Sequence, residues 1–314
     1  MPFPRSIRDV VTLLALCTLL LPGTARIASA QPTKRPVVIL FVGNSFLHGA
    51  FEPVLSYNAA LVTDEDAGAP AGDPRGGAGR KPYGGIPAIF KTLTMEVGLD
   101  YEVHSELVSG QSLEFHYQNA LSVINQSKWD VVVMHDYSTG PVPAARGGNP
   151  ERFTKYADLL EQTIHAANRA ADVYLYETWS RADLTYPDAG RYHGAPIEAM
   201  ANDLHDAYDR ERLHNGHIRG VTPAGDAWMR AIHEGVAVAD PRHTEIGKID
   251  LWGPDAYHPS IYGAYLNALV LLESITGKDA RQLGGHERAA AALGIAPETA
   301  LTLQRIAHEQ VGAM

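Results

Sequence analysis

Late in the chain, in the stretch GPDAYHPSIYGAY, Asp255 and His258 stand three residues apart, just before Pro259 and Ser260 open a helix. A short turn with this spacing can hold a carboxylate and an imidazole in one cleft. The carboxylate then bonds one ring nitrogen and leaves the other facing a hydroxyl. Asp-x-x-His alone is common and often only precedes a helix start, so its meaning depends on a partner. That partner is Ser45, in GNSF, which follows the apolar run 38–42. A serine hydroxyl is a poor nucleophile until a neighbouring base takes its proton, and the base needs a group to orient it. A third stretch, ELVSGQSLEFH, sets Gly110 between a strand and a helix. Glycine there lets a backbone N–H come close to a developing negative charge, as one donor of an oxyanion hole requires.

Residues so far apart in sequence depend on the elements that carry them. The runs 38–42, 101–110, 129–138 and 172–179 read as strands, and a last short strand begins near His217. Between them, Ile86, Ile89, Phe90, Leu93 and Val97 keep helical spacing. Further helices open at Ser112, at Pro150, at Pro196, after the last strand, at Pro259 and at Pro297. Strands alternating with helices across short turns predict an α/β fold: a three-layer α/β/α sandwich with a mostly parallel, flavodoxin-like sheet. There is no internal repeat and no composition break, so residues 31–314 form one expected domain. Residues 63–85, rich in Gly, Pro and charge, are expected as an exposed loop near the cleft. In an open parallel sheet, function gathers beyond the carboxyl ends of the strands. The loops GNSF, SGQS, HDYS and DAYHP should therefore meet.

Composition narrows the chemistry. Arg5 and Arg8 precede an apolar run, and small residues at Ala28, Ser29 and Ala30 follow it. Residues 1–30 thus read as a secretory signal peptide cleaved after Ala30, with the mature protein secreted or periplasmic. Cys17, the one cysteine of 314 residues, falls inside that peptide, which excludes disulfides and thiol chemistry from the mature chain. A formal net charge of -10 argues against a nucleic acid or an anionic membrane as the main partner. Fourteen histidines invite a metal, notably His205 with Asp209, His214, and the stretch DPRHTE. None repeats a ligand pattern such as His-Glu-x-x-His, and His205 with Asp209 reads as a solvated helix face. No metal or organic cofactor is expected. GGAGRKPYGG lacks the Gly-Lys-Ser/Thr ending of a phosphate loop.

The ordered set GNS, SGQSL and DAYHPS resembles the SGNH/GDSL hydrolase superfamily across most of the mature chain, with Asn44 where that family has aspartate. The resemblance implies Ser45 as nucleophile, His258 as general base and acid, and Asp255 as its orienter. It also implies the N–H groups of Ser45 and Gly110 as oxyanion donors. The family's third block carries an asparagine that donates to the oxyanion; the matching strand here ends VVVMHDYSTG. His135, the first residue beyond that strand, is the expected replacement donor through a ring N–H, with the hydroxyls of Tyr137 and Ser138 as alternatives. The loop carrying Trp179, Arg181, Tyr186, Tyr192 and His193 is a candidate surface for a sugar ring or acyl chain, with Trp179 and Tyr186 foremost. The expected activity is hydrolysis of a small-molecule or carbohydrate ester, O-acetyl groups included. The alternative is a periplasmic carbohydrate-binding protein with a decayed site.

Overall fold

The computed structural model describes residues 35–76 and 79–313. The expected signal peptide lies outside them. Six strands form one sheet: β1 Val37–Gly43, β2 Val62–Asp64, β3 Tyr101–Leu107, β4 Val131–Met134, β5 Asp172–Glu177 and β6 Ile218–Pro223. The spatial order is β2-β3-β1-β4-β5-β6, and every pairing is parallel. Parallel strands covered on both faces read as continuous apolar runs, which is why VVILFVG and VVVM look as they do.

Successive strand residues point to opposite faces, so each run feeds two cores. Ile39, Phe41, Val103, Val133 and Tyr176 face one layer, packed by α2 Gly85–Glu96, α8 Ala224–His233, α9 Ile261–Thr276 and α11 Pro297–Val311. Leu40, Val42, Val132, Met134 and Leu175 face the other, packed by α3 Leu113–Asn119, α4 Leu121–Ile124, α5 Pro150–Ala167 and α7 Glu198–His214. Three short helices complete the set: α1 Ser45–His48, α6 Ala182–Thr185 and α10 Arg288–Leu293. No helix of the described residues is long and apolar enough to cross a membrane.

β1 lies between β3 and β4, so the chain steps from β1 to one side and returns to the other. A crevice opens beyond the carboxyl ends of strands at such a switch point. The loops after β1, β3 and β4 border it.

The segment 63–85 departs from the expected exposed loop at its start. Val62 to Asp64 pair with Val103 to Ser105 as an edge strand, and Val62 is its one buried residue. Beyond β2, polar anchors replace an apolar period. The Asp64 carboxylate accepts the N–H groups of Asp66 and Ala67 at 3.1 Å each, that of Tyr83 at 2.8 Å, and two Arg80 bonds at 2.6 and 2.9 Å. Asp66, fully buried, accepts the Leu107 N–H at 2.8 Å. Burial, and then the Glu106 charge, pushes its carboxyl up to about 7.

Candidate active site

β1 ends at Gly43, where a side chain has no room: a Cβ would lie 2.2 Å from His135 Nε2. The next residue, Asn44, caps α1 by accepting the Phe46 N–H on Oδ1 at 3.1 Å. Its Nδ2 donates to the Gln111 carbonyl at 2.9 Å and approaches the Asp136 carbonyl at 3.5 Å. One side chain thus ties together the loops after β1, β3 and β4. Ser45 is the first residue of α1, only 6% exposed, with its hydroxyl at the floor of a cleft of about 520 Å³.

His258 Nε2 lies 2.8 Å from Ser45 Oγ, and His258 Nδ1 lies 2.6 Å from Asp255 Oδ2. The other carboxylate oxygen accepts the N–H groups of Tyr257 and His258 at 3.1 and 3.0 Å. Burial works to raise the Asp255 carboxyl, but the His258 ring bond and these backbone bonds outweigh it and hold it below its ordinary value. A carboxylate that stays ionised fixes the proton on Nδ1 and leaves Nε2 free to accept from Ser45.

The turn carrying Asp255 and His258 is held from the loop after β5. Asp183 N donates to the Ala256 carbonyl at 3.1 Å, and Trp179 Nε1 to the Tyr257 carbonyl at 3.1 Å. Ala256 sits at φ 55°, a left-handed conformation that an L-residue adopts at a cost of about 1 to 2 kcal/mol. The Arg181 guanidinium lies 3.6 Å from the Tyr257 ring centroid, and the Tyr257 ring packs 4.1 Å from that of His258.

The cleft is lined by Ser45, His48, Gly49, Ala50, Leu55, Tyr83, Ser109, Gly110, Tyr137, Tyr257 and His258. Gly110 adopts φ 73°, and neither its N–H nor that of Ser45 bonds any other described residue. Two unsatisfied donors beside a serine hydroxyl are what a tetrahedral oxyanion needs.

His135 does not take the place expected for it. It is fully buried beneath Gly43. Its Nδ1 lies 2.8 Å from the Asp136 carbonyl, which can only accept, so Nδ1 carries the proton. Nε2 therefore accepts the Asn44 N–H at 3.2 Å. Burial drives its pKa down to about 3, so the ring is neutral and has no N–H left for the cleft. Of the alternatives, Tyr137 lines the cleft, whereas Ser138 is buried and accepts from Arg181 at 3.2 Å.

The expected aromatic surface is also corrected. Trp179 is fully buried, stacked 4.2 Å from Phe46 and 4.6 Å from Trp228, and supports the His258 turn from behind. Tyr186 is not among the residues lining the cleft and donates to the Ala239 carbonyl at 2.7 Å, and Tyr192 is buried with its hydroxyl on Asp203 at 2.7 Å. Strand-end aromatics are as readily core as surface, and the sequence does not separate the two. His48, Tyr83, Ser109 and Tyr257 line the cleft as well, although none belongs to the expected site. Their signal was adjacency: each neighbours, or lies one helical turn from, a named residue, except Tyr83.

Of the histidines weighed for metal, His205 lies 3.0 Å from Asp226 and 3.5 Å from Glu177 rather than on Asp209, which pairs with Arg212. The Glu177 hydrogen bond pushes His205 up to about 9, while burial raises the Glu177 carboxyl to about 7 and the Asp226 carboxyl above its ordinary value.

No family model matches the chain, and no curated protein matches it by sequence. Solved structures do. A DUF4886 family protein from Bacteroides uniformis aligns with a TM-score of 0.58 at 17% identity, over 88% of this chain and 95% of that one. An acetyl xylan esterase, AlAXEase, aligns at 0.47 and 14% identity, over 76% of this chain and 100% of that one. The psychrotrophic esterase EstA from a Pseudoalteromonas species aligns at 0.45 and 14%, over 76% and 97%. The chain, with its six-stranded parallel sheet, shares the α/β fold of that DUF4886 family protein. At these identities the likeness is one of fold.

Proposed function

We infer that this protein is an exported serine esterase acting on small carboxylic esters through Ser45, His258 and Asp255. The carrying observation is the continuous chain from Asp255 through His258 to the Ser45 hydroxyl, with contacts of 2.6 and 2.8 Å, beside two unpaired N–H groups. Ser45 Oγ attacks the acyl carbon as its proton passes to His258 Nε2. The N–H groups of Ser45 and Gly110 hold the oxyanion. Collapse of the tetrahedral intermediate breaks the bond to the alcohol, which leaves with the proton from His258. Water, deprotonated by the same imidazole, then attacks the acyl-Ser45 ester and releases the carboxylic acid. Export rests on the pattern of residues 1–30.

A second reading keeps one supporting observation: His135 faces away from the cleft, so the loop after β4 provides no ring N–H to the oxyanion. A missing donor costs about 10²- to 10³-fold in rate, and a site so weakened would serve as a binding cleft. Labelling with a fluorophosphonate, and then mass spectrometry, separates the two. The esterase reading expects a label on Ser45, absent in Ser45→Ala, and a fall of about 10⁴-fold or more in ester hydrolysis in that variant. An intact folded protein that takes no label is instead a binding protein.

A further inference from the structure

The cleft holds a second serine and histidine pair that the proposed mechanism does not use. Ser109 Oγ lies 2.9 Å from His48 Nε2, while His48 Nδ1 contacts the Gly49 carbonyl. A carbonyl only accepts, so Nδ1 carries the ring proton. His48 is 3% exposed, and burial holds its pKa down to about 4, so the ring is neutral and Nε2 is a bare lone pair. The Ser109 hydroxyl must then donate to it. With its one proton committed, Ser109 offers only lone pairs to the cleft.

This arrangement is built rather than incidental. The His48 ring stacks 4.2 Å from Tyr83, whose ring carries the Arg80 guanidinium 3.8 Å from its centroid, and Arg80 is held by both oxygens of Asp64. α2 closes against the other side: a Cβ at Gly85 would lie 2.6 Å from His48 Cα. The segment after β2 thus reaches the cleft and locks the orientation of one imidazole. A histidine oriented by a carbonyl and kept neutral is a poor general base, so the pair does not duplicate the Ser45 site. What it does is fix the polarity of Ser109.

We propose that Ser109, polarised by His48, accepts a hydrogen bond from a substrate hydroxyl next to the scissile ester, so that the preferred substrates are monoesters of polyols or sugars. This deepens the esterase reading and rests on it. Ser109 immediately precedes Gly110, whose N–H faces the ester carbonyl oxygen, so the hydroxyl it reads belongs to a carbon close to the ester. Ser109 is exposed and lines the cleft, open to a substrate hydroxyl. Ser109 as an acceptor gains nothing from a carboxylate or phosphate, which have no proton to give.

The test compares kcat/KM for glyceryl monoacetate with that for n-propyl acetate, in wild type, Ser109→Ala and Ser109→Thr. Wild type should favour the glyceryl ester. Ser109→Ala should lower the ratio of the two about tenfold, the value of one hydrogen bond, and Ser109→Thr should keep it. Fluorophosphonate labelling of Ser45 in each variant reports that the fold and nucleophile are intact. A ratio unchanged in Ser109→Ala, or a wild type that prefers propyl acetate, overturns the subsite and leaves the esterase standing. A folded wild type that hydrolyses neither ester overturns both.

Discussion

Asn44 decides how the loops of the cleft are held, and it does so through groups an aspartate lacks. Its Oδ1 caps α1, a task either residue performs, but its Nδ2 donates to Gln111 and Asp136 carbonyls. A carboxylate there would face two carbonyl oxygens with no proton to share. Asn44→Asp should therefore destabilise the protein by about 1 to 3 kcal/mol, the cost of leaving buried acceptors unmatched. Urea unfolding measures it, with a shifted midpoint at unchanged slope. The sequence showed this position as a departure from the related pattern, and its three neighbours supply the reason. His135 is the contrasting case. As the first residue beyond β4 it read as a donor to the cleft, yet the space left by Gly43 draws its ring underneath, where the Asn44 N–H takes the remaining lone pair.

At the scale of elements, two glycines at strand ends do different work. Gly43 is needed for space, since a Cβ would lie 2.2 Å from His135. Gly110 has nothing within 4 Å of a built Cβ but sits at φ 73°. Gly43→Ala should displace His135, break its bond to Asn44 and cost about 1 to 3 kcal/mol as an overpacking, with loss of Ser45 labelling. Gly110→Ala should cost about 1 to 2 kcal/mol through backbone strain, keep the core intact, and slow acylation by misaiming one oxyanion N–H. Unfolding and labelling rates measured together separate the two. The central strands, the long helices and the loops that meet at the cleft were legible because apolar runs and helical spacing record burial, whereas the break at Ala120 that splits the expected Ser112 helix into α3 and α4 was not. The edge strand β2 was not, because it buries only Val62. Nor were the paths of residues 64–76 and 79–83, which are held by Asp64 on Arg80 and Tyr83 and by Arg75 on Asp66 rather than by any apolar period.

For the molecule as a whole, two buried groups, His135 and Asp66, couple stability to pH in opposite senses. His135 is held at about 3, against an ordinary value of 6.5. Below pH 6.5 the unfolded chain takes up a proton there and the folded one does not, so its contribution is complete above 6.5 and is lost as pH falls. Asp66 behaves inversely. Its carboxyl is raised from 3.8 to about 7, so between these values the folded state holds the extra proton, and stability from this group grows as pH falls. Unfolding free energies from pH 7.5 to 4.5 should show it by difference. Relative to His135→Gln, wild type should lose stability on acidification with a limiting slope of about 1.4 kcal/mol per pH unit. Relative to Asp66→Asn it should gain with the opposite slope over the same interval. Parallel curves for wild type and His135→Gln would mean that the ring protonates inside the fold. The neutral imidazole beneath Gly43, and with it the hydrogen bond that seats Asn44 behind Ser45, would then be wrong.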